Sequence, residues 1–239
     1  MKDFCLIAHR CGPGMFPEQS IMSARHALSL GADMVEMDVQ YTSDGIPVIC
    51  HDMNTLRMFG VDSLVSDMSY RDFMSLRQVQ DCAYPSHSLE NIFKDNVYPT
   101  LFHCKISGEL LSDLAQRIVS SGFEEKCVIG VLNASDVNTI KRISSKIKVL
   151  SFMPVFKQFE SFLDSNADFI RLWEDWVEED YIKRIHEKGK KVWIMAGKQT
   201  PEGVGYTSEE KFLSWLDMKV DGILVNDVKW ALDLLKKRV

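Results

Sequence analysis

At 239 residues, 46% hydrophobic and 26% charged, the chain has the make-up of an ordinary globular protein, large enough to bury a core without disulfide staples. A formal charge of −6 excludes a general nucleic-acid binder, which needs a basic surface, and no apolar run approaches the length of a membrane span. The six cysteines form no CxxC pair and no zinc-finger spacing, so they read as reduced thiols; with the start at Met1-Lys2-Asp3 and no leader, this favours a cytoplasmic location.

Short apolar runs alternate with longer helical stretches along the whole chain, the pattern of βα units on a parallel sheet. The spacing predicts strands over 4–8, 33–39, 99–105, 126–131, 147–152, 168–172, 191–195 and 221–225. It predicts a helix over 20–30 that stops at Gly31, and one over 136–145 capped by Ser135-Asp136. A third runs from Glu178 to Lys188 and ends at Gly189 with lysines in its last turn, and a fourth opens at Thr207-Ser208 and reaches Met218. Eight such units specify a TIM (β/α)8 barrel, with residues 1–239 as one domain. An open doubly wound sheet would show a Gly-rich phosphate loop after its first strand. Here Cys11-Gly12-Pro13-Gly14 stands in that place, and the proline lacks the N–H such a loop uses. The stretch from about 52 to 98 is too long for a βα connection, and reads as a small insertion after the second strand plus the second helix, lying over the barrel top.

Polar residues interrupt the apolar runs in the first fifty-two positions. His9-Arg10 end the run Phe4 to Ala8, and His51-Asp52 end Ile46 to Cys50. Glu36 and Asp38 are two apart within Val35-Glu36-Met37-Asp38-Val39, so both carboxylates leave one face of a strand. On a buried face they would repel and lose solvation, which a hard divalent cation with oxygen ligands, Mg²⁺ or Ca²⁺, relieves. Two histidines near such a site supply an acid and a base near neutral pH, and Arg10 offers a planar fork to phosphate oxygens. Glu18 reads equally as a site carboxylate or as an acid at a helix N-terminus. Trp173 and Glu174 read equally as substrate contacts at a barrel strand's C-terminal end or as packing and capping residues.

The segments Ile7-Ala8-His9-Arg10, Pro17-Glu18-Gln19-Ser20, Gly31 to Gln40 and Asp44-Gly45-Ile46-Pro47-Val48-Ile49-Cys50-His51-Asp52 together resemble the glycerophosphodiester phosphodiesterase family. The resemblance continues, more weakly, through Lys105 and Val220-Asp221-Gly222-Ile223-Leu224-Val225-Asn226-Asp227. It implies a TIM barrel with a small insertion after the second strand. It also implies His9 and His51 as the acid/base pair, Arg10 and Lys105 as phosphate ligands, and Glu36 and Asp38 as metal ligands. The activity implied is metal-dependent hydrolysis of a small-molecule glycerophosphodiester to glycerol phosphate and an alcohol.

Three positions depart from that pattern. His103 stands where the family places a glutamate as third metal ligand, which replaces an anionic oxygen by a neutral nitrogen and turns preference from Mg²⁺ or Ca²⁺ towards a transition metal such as Mn²⁺, Co²⁺ or Zn²⁺. Cys11 stands where glycine usually follows His-Arg, and Trp193-Ile194-Met195-Ala196-Gly197 lacks the usual Trp-Thr segment. The alternatives these leave open are another substrate, such as a lysophospholipid or sugar phosphodiester, and a catalytically impaired barrel that binds a phosphorylated ligand.

Overall fold

Strands form wherever β-branched and apolar residues cluster, ten of them in the computed structural model, which describes residues 4–200 and 203–237. They are β1 Cys5–Ala8, β2 Met34–Tyr41, β3 Pro47–Ile49, β4 His87–Ser88, β5 Thr100–Cys104, β6 Cys127–Val131, β7 Lys148–Ser151, β8 Phe169–Trp173, β9 Lys191–Met195 and β10 Gly222–Val225. Eight of these run parallel in the order β1-β10-β9-β8-β7-β6-β5-β2, and β1 also pairs with β2, which closes the ring as a TIM barrel. The expected strands correspond to these eight within one or two residues. The run ending at Cys50 becomes β3, which hangs outside the ring, antiparallel to the end of β2 and to β4.

The helices are α1 Ile21–Leu30, α2 Leu56–Phe59, α3 Tyr70–Ser75, α4 Leu89–Lys94, α5 Gly108–Ser120, α6 Ala134–Ile143, α7 Phe159–Leu163, α8 Glu179–Glu187, α9 Glu209–Asp217 and α10 Val228–Lys236. Ser20 opens α1 by accepting from the Ser23 N–H at 3.1 Å, and Gly31 ends it at φ 115°, a left-handed conformation that costs glycine little. Ser208 opens α9 in the same way. Helix α6 starts earlier than expected, with Asn133 at the cap position, so Ser135 and Asp136 lie inside its first turn and do not cap it.

Alternation along the strands splits the core in two. Outward residues such as Val35, Met37 and Val39 pack under the helices. Inward residues Ile7, Met34, Leu101, Val128, Leu150, Phe169, Trp193 and Leu224 fill the lower lumen as an apolar plug. At the N-terminal rim, Asp33, Asp168 and Asp221 each stand just before a strand and accept the backbone N–H of the neighbouring strand's second residue: Leu6 at 3.0 Å, Val149 at 2.9 Å and Val192 at 2.9 Å. The insertion has a small core of its own, where Val48, Met58, Phe59, Val65 and Phe73 meet under α2 and α3.

Candidate functional site

Above the apolar plug, the inward positions turn polar. In β2 the face that carries Met34 continues through Glu36, Asp38 and Gln40, and β5 sets His103 directly beside Asp38. His9 and Arg10 follow the last residue of β1, Lys105 follows β5, and His51 follows β3. These residues meet at the C-terminal mouth of the barrel, where His9, Arg10, Asp38, His51, His103, Arg171 and Trp173 line a cavity of about 200 Å³. Larger hollows of about 650 and 270 Å³ lie against α4 and α5 and under the N-terminal rim, away from both histidines.

Each histidine is held from behind. The Asn226 carbonyl oxygen lies 2.7 Å from His9 Nδ1, and Asn226 donates its own N–H to Val204 O at 2.9 Å, which leaves Oδ1 as the acceptor. His9 therefore carries its proton on Nδ1. Burial and then the Arg10 guanidinium hold its pKa down at about 3, so the ring is neutral at physiological pH. His51 Nδ1 lies 2.5 Å from Asp52 Oδ1, and its Nε2 accepts from Arg10 Nη2 at 2.8 Å. Gln40 donates to Cys50 O and Asp52 O, bracketing His51.

The cations are also anchored. Arg10 reaches Glu18 at 3.3 Å, and Arg57 joins Glu18 to Asp52. Lys105 Nζ lies 3.1 Å from Asp38 Oδ1 and donates to His51 O. The Arg10 N–H is turned to Glu36 Oε2, at 2.8 Å, by a left-handed run in which Arg10 has φ 48° and Cys11 φ 69°. That is a conformation glycine adopts at little cost, so Cys11 holds it with some strain.

Glu36, Asp38 and His103 each offer a ligand atom, all within 4.8 Å of one another. Burial and then the Asp38 charge raise the Glu36 carboxyl well above the ordinary carboxylate range; for Asp38 the cost of burial is outweighed by Lys105, His51 and His103, and its pKa falls. His103 Nδ1 is 2.8 Å from Asp38 Oδ1 and 3.8 Å from Glu36 Oε1. The buried Asp38 Oδ1, though within ion-pair distance of His103 and Lys105, lacks an aligned hydrogen bond, and His103 Nε2 has no partner. Two buried carboxylates raising each other's cost, with an imidazole nitrogen converging on them, form a donor set that fits a divalent cation.

Of the residues singled out from sequence, His9, Arg10, Asp38, His51, His103 and Trp173 line the cavity, with Glu36 and Lys105 in direct contact with that set. Glu174 does not line it: its carboxylate is turned away, accepting from the Gly197 N–H at 2.7 Å and Lys211 Nζ at 2.5 Å. Sequence reasoning passed over four residues. Gln19 grips Asp38 twice, donating to Oδ2 at 2.7 Å and accepting from its N–H at 3.0 Å. Asn226 and Gln40 hold the histidines, and Arg171 stands on the opposite wall. Alternation was signal enough for Gln40, two past Asp38, and for Arg171, between inward Phe169 and Trp173. Gln19 and Asn226 gave no such signal.

The sequence model of the Glycerophosphoryl diester phosphodiesterase family matches residues 9–138, more than half of the chain. The chain belongs to this family. It is 38% identical over 95 residues to glycerophosphodiester phosphodiesterase 1 of Homo sapiens, a stretch that spans 40% of the chain and only 27% of the human protein's length. It is 21% identical over 97% of its length to a glycerophosphodiester phosphodiesterase of Caldanaerobacter subterraneus, 98% of which is covered. The family fold extends over the chain: an Oleispira antarctica phosphodiesterase, solved in complex with the product sn-glycerol-3-phosphate, superimposes with a TM-score of 0.78 at 17% identity, covering 97% of this chain and 96% of that one.

Proposed function

We propose that the chain is a divalent-cation-dependent phosphodiesterase that hydrolyses glycerophosphodiesters to glycerol phosphate and an alcohol. The observation that carries this is the pairing of His9 and His51, each held at Nδ1 by an acceptor, across one cavity from a three-donor cluster. The glycerol phosphate found in the Oleispira antarctica relative supports the product class.

His9, neutral and donating its Nδ1 N–H to Asn226 Oδ1, presents Nε2 as the base that takes a proton from the attacking hydroxyl or water. In the resting site His51 Nε2 is covered by the Arg10 guanidinium. A phosphate oxygen that takes over Arg10 uncovers Nε2, which then takes up a proton from solvent; Asp52 steadies the resulting imidazolium, which passes that proton to the leaving alkoxide. Arg10 and Lys105 bind the phosphate, and Trp173 forms the far wall for the substrate. Glu36, Asp38 and His103 would hold a divalent cation, which would supply charge neutralisation and polarisation at the phosphoryl group. Six cysteines with no disulfide among them support placement of the enzyme in a reducing compartment, the cytoplasm. Among the described residues no helix is long and apolar enough to cross a membrane.

The purified chain with Mg²⁺, Ca²⁺ or Mn²⁺ is expected to release glycerol phosphate from glycerophosphodiesters. His9→Ala and His51→Ala should each lower kcat by about 10²–10⁴ with an unchanged circular dichroism spectrum. Full turnover in both variants would overturn the assignment.

A further inference from the structure

Opposite β2 across the barrel, β8 carries a guanidinium with almost nothing to bind. Arg171 is 1% exposed, and its guanidinium makes one hydrogen bond, from Nη2 to Met153 O at 2.9 Å; Nε and Nη1 have no acceptor. No carboxylate of the described residues comes within ion-pair distance of it, whereas Arg10 and Lys105 are both paired. A buried, unpaired cation is among the costliest groups a core can hold. What steadies it is the Glu36 charge across the lumen and two rings: the guanidinium carbon lies 4.7 Å from the Phe152 ring centre and 4.4 Å from that of Trp173. Beside it the Trp173 Nε1–H is a further buried donor without an acceptor. Three N–H positions, all on β8 and all lacking an acceptor, therefore belong to residues that line the same cavity as the histidines.

Phe152 stands between Arg171 and His103. The His103 ring stacks on Phe152 at 3.7 Å, within 11° of parallel, so the guanidinium must take the ring's other side. A phosphodiester group held by Arg10 and Lys105 bears only one negative charge of its own, which those two cations already match.

We propose that Arg171 and Trp173 Nε1 form a second anion subsite, which takes a carboxylate or phosphate monoester carried on an arm of the phosphodiester substrate. The inference rests on the phosphodiesterase reading for the identity of the substrate. It goes beyond that reading in assigning these donors a ligand and the substrate a second charge.

Matched substrates test it. Glycerophosphoserine differs from glycerophosphoethanolamine by one carboxylate, and glycerophosphoglycerol phosphate differs from glycerophosphoglycerol by one phosphate monoester. The ratio of kcat/KM within at least one pair should exceed about tenfold in favour of the anion in wild type, and fall to near one in Arg171→Gln. Trp173→Phe, which loses only the N–H, should lower the same ratio, and Arg171→Lys should restore part of it. The pair that responds identifies the anion. A ratio near one for both pairs in wild type, or one unchanged in Arg171→Gln, would overturn the subsite while leaving the phosphodiesterase reading intact. Calorimetric binding of the four compounds to His51→Ala, with and without Arg171→Gln, reads the discrimination without turnover, so the subsite stands or falls even if the chain hydrolyses none of them. Arg171→Met, similar in length and apolar, should melt at or above the wild-type temperature; a lower melting point would mark Arg171 as structural scaffolding and overturn the proposal. It also replaces Arg171→Gln in both assays if the glutamine variant fails to fold.

Discussion

At the scale of single residues, the site depends on side chains that hold others still. Asn226 fixes which nitrogen of His9 carries the proton, because its own amide is committed to Val204 O and only its carbonyl can face the ring. Asn226→Ala would free the ring to turn and to change tautomer. It is expected to lower kcat by about 10–100-fold with little change in KM, the usual cost of losing a partner that orients a functional histidine. Steady-state kinetics beside a binding measurement would check this, and an equal rise in KM would instead mean lost substrate contact. Gln19 does for Asp38 what Asn226 does for His9, with Gln19 itself in a left-handed conformation at φ 59°. Neither partner is readable from local pattern, since each acts across a long stretch of chain.

At the scale of elements, the lumen is shaped by what strands leave out as well as by what they present. Gly130 in β6 lies beside His103, and a Cβ there would come within 2.6 Å of Phe152 Cδ2. The missing side chain is what lets Phe152 lie flat on His103. A ring cannot yield as the end of a flexible chain can, so Gly130→Ala should cost roughly 1–3 kcal/mol as overpacking. A denaturant midpoint shifted downward at constant slope would register it. At the opposite rim, Asp168 ties β7 to β8: Lys141 Nζ lies at 2.6 Å, Lys148 Nζ at 2.9 Å, and the Val149 N–H donates at 2.9 Å. Burial raises its pKa, but these partners outweigh it and the pKa falls below its ordinary value. A group depressed in the folded state stabilises it above the unfolded pKa of about 4, and loses that contribution as pH falls through the folded value. Asp168→Asn should therefore cost roughly 1–3 kcal/mol near pH 7. The gap between wild type and variant should narrow below about pH 4; a constant gap across that range would refute the linkage.

At the scale of the whole molecule, the barrel brings two carboxylates and an imidazole together in a buried layer, and folding bears the cost of that encounter. A divalent cation that binds only the folded chain repays it by mass action, about 2.7 kcal/mol at a hundred times the dissociation constant. For a chain of this length that corresponds to a rise of roughly 5–10 °C in melting temperature. Mn²⁺ or Zn²⁺ should give the larger rise in wild type, and His103→Glu should turn the preference towards Mg²⁺ or Ca²⁺. A melting temperature indifferent to every cation, in both forms, would exclude the cluster as a metal site.

The sequence by itself determined the barrel and much of its polar layer. Eight apolar runs alternating with helical stretches fix the number of barrel strands, and the two-residue repeat places Glu36 and Asp38 on one face because side chains alternate along a strand. Residues 9–52 were legible because short-range order holds them: each polar pair ends or interrupts an apolar run. Helix boundaries were less so, as α6 illustrates, where any of several polar residues could have opened the first turn. Tertiary structure alone decided which long-range partner each functional group received. Ring closure sets Asn226 against His9, 217 positions away, and turns Glu174 onto Lys211 instead of the cavity. It also faces Arg171 across the lumen from the polar pair that first marked the site. A pattern along the chain specifies which way a side chain points; what it meets there depends on how far the ring of strands carries each wall towards the other.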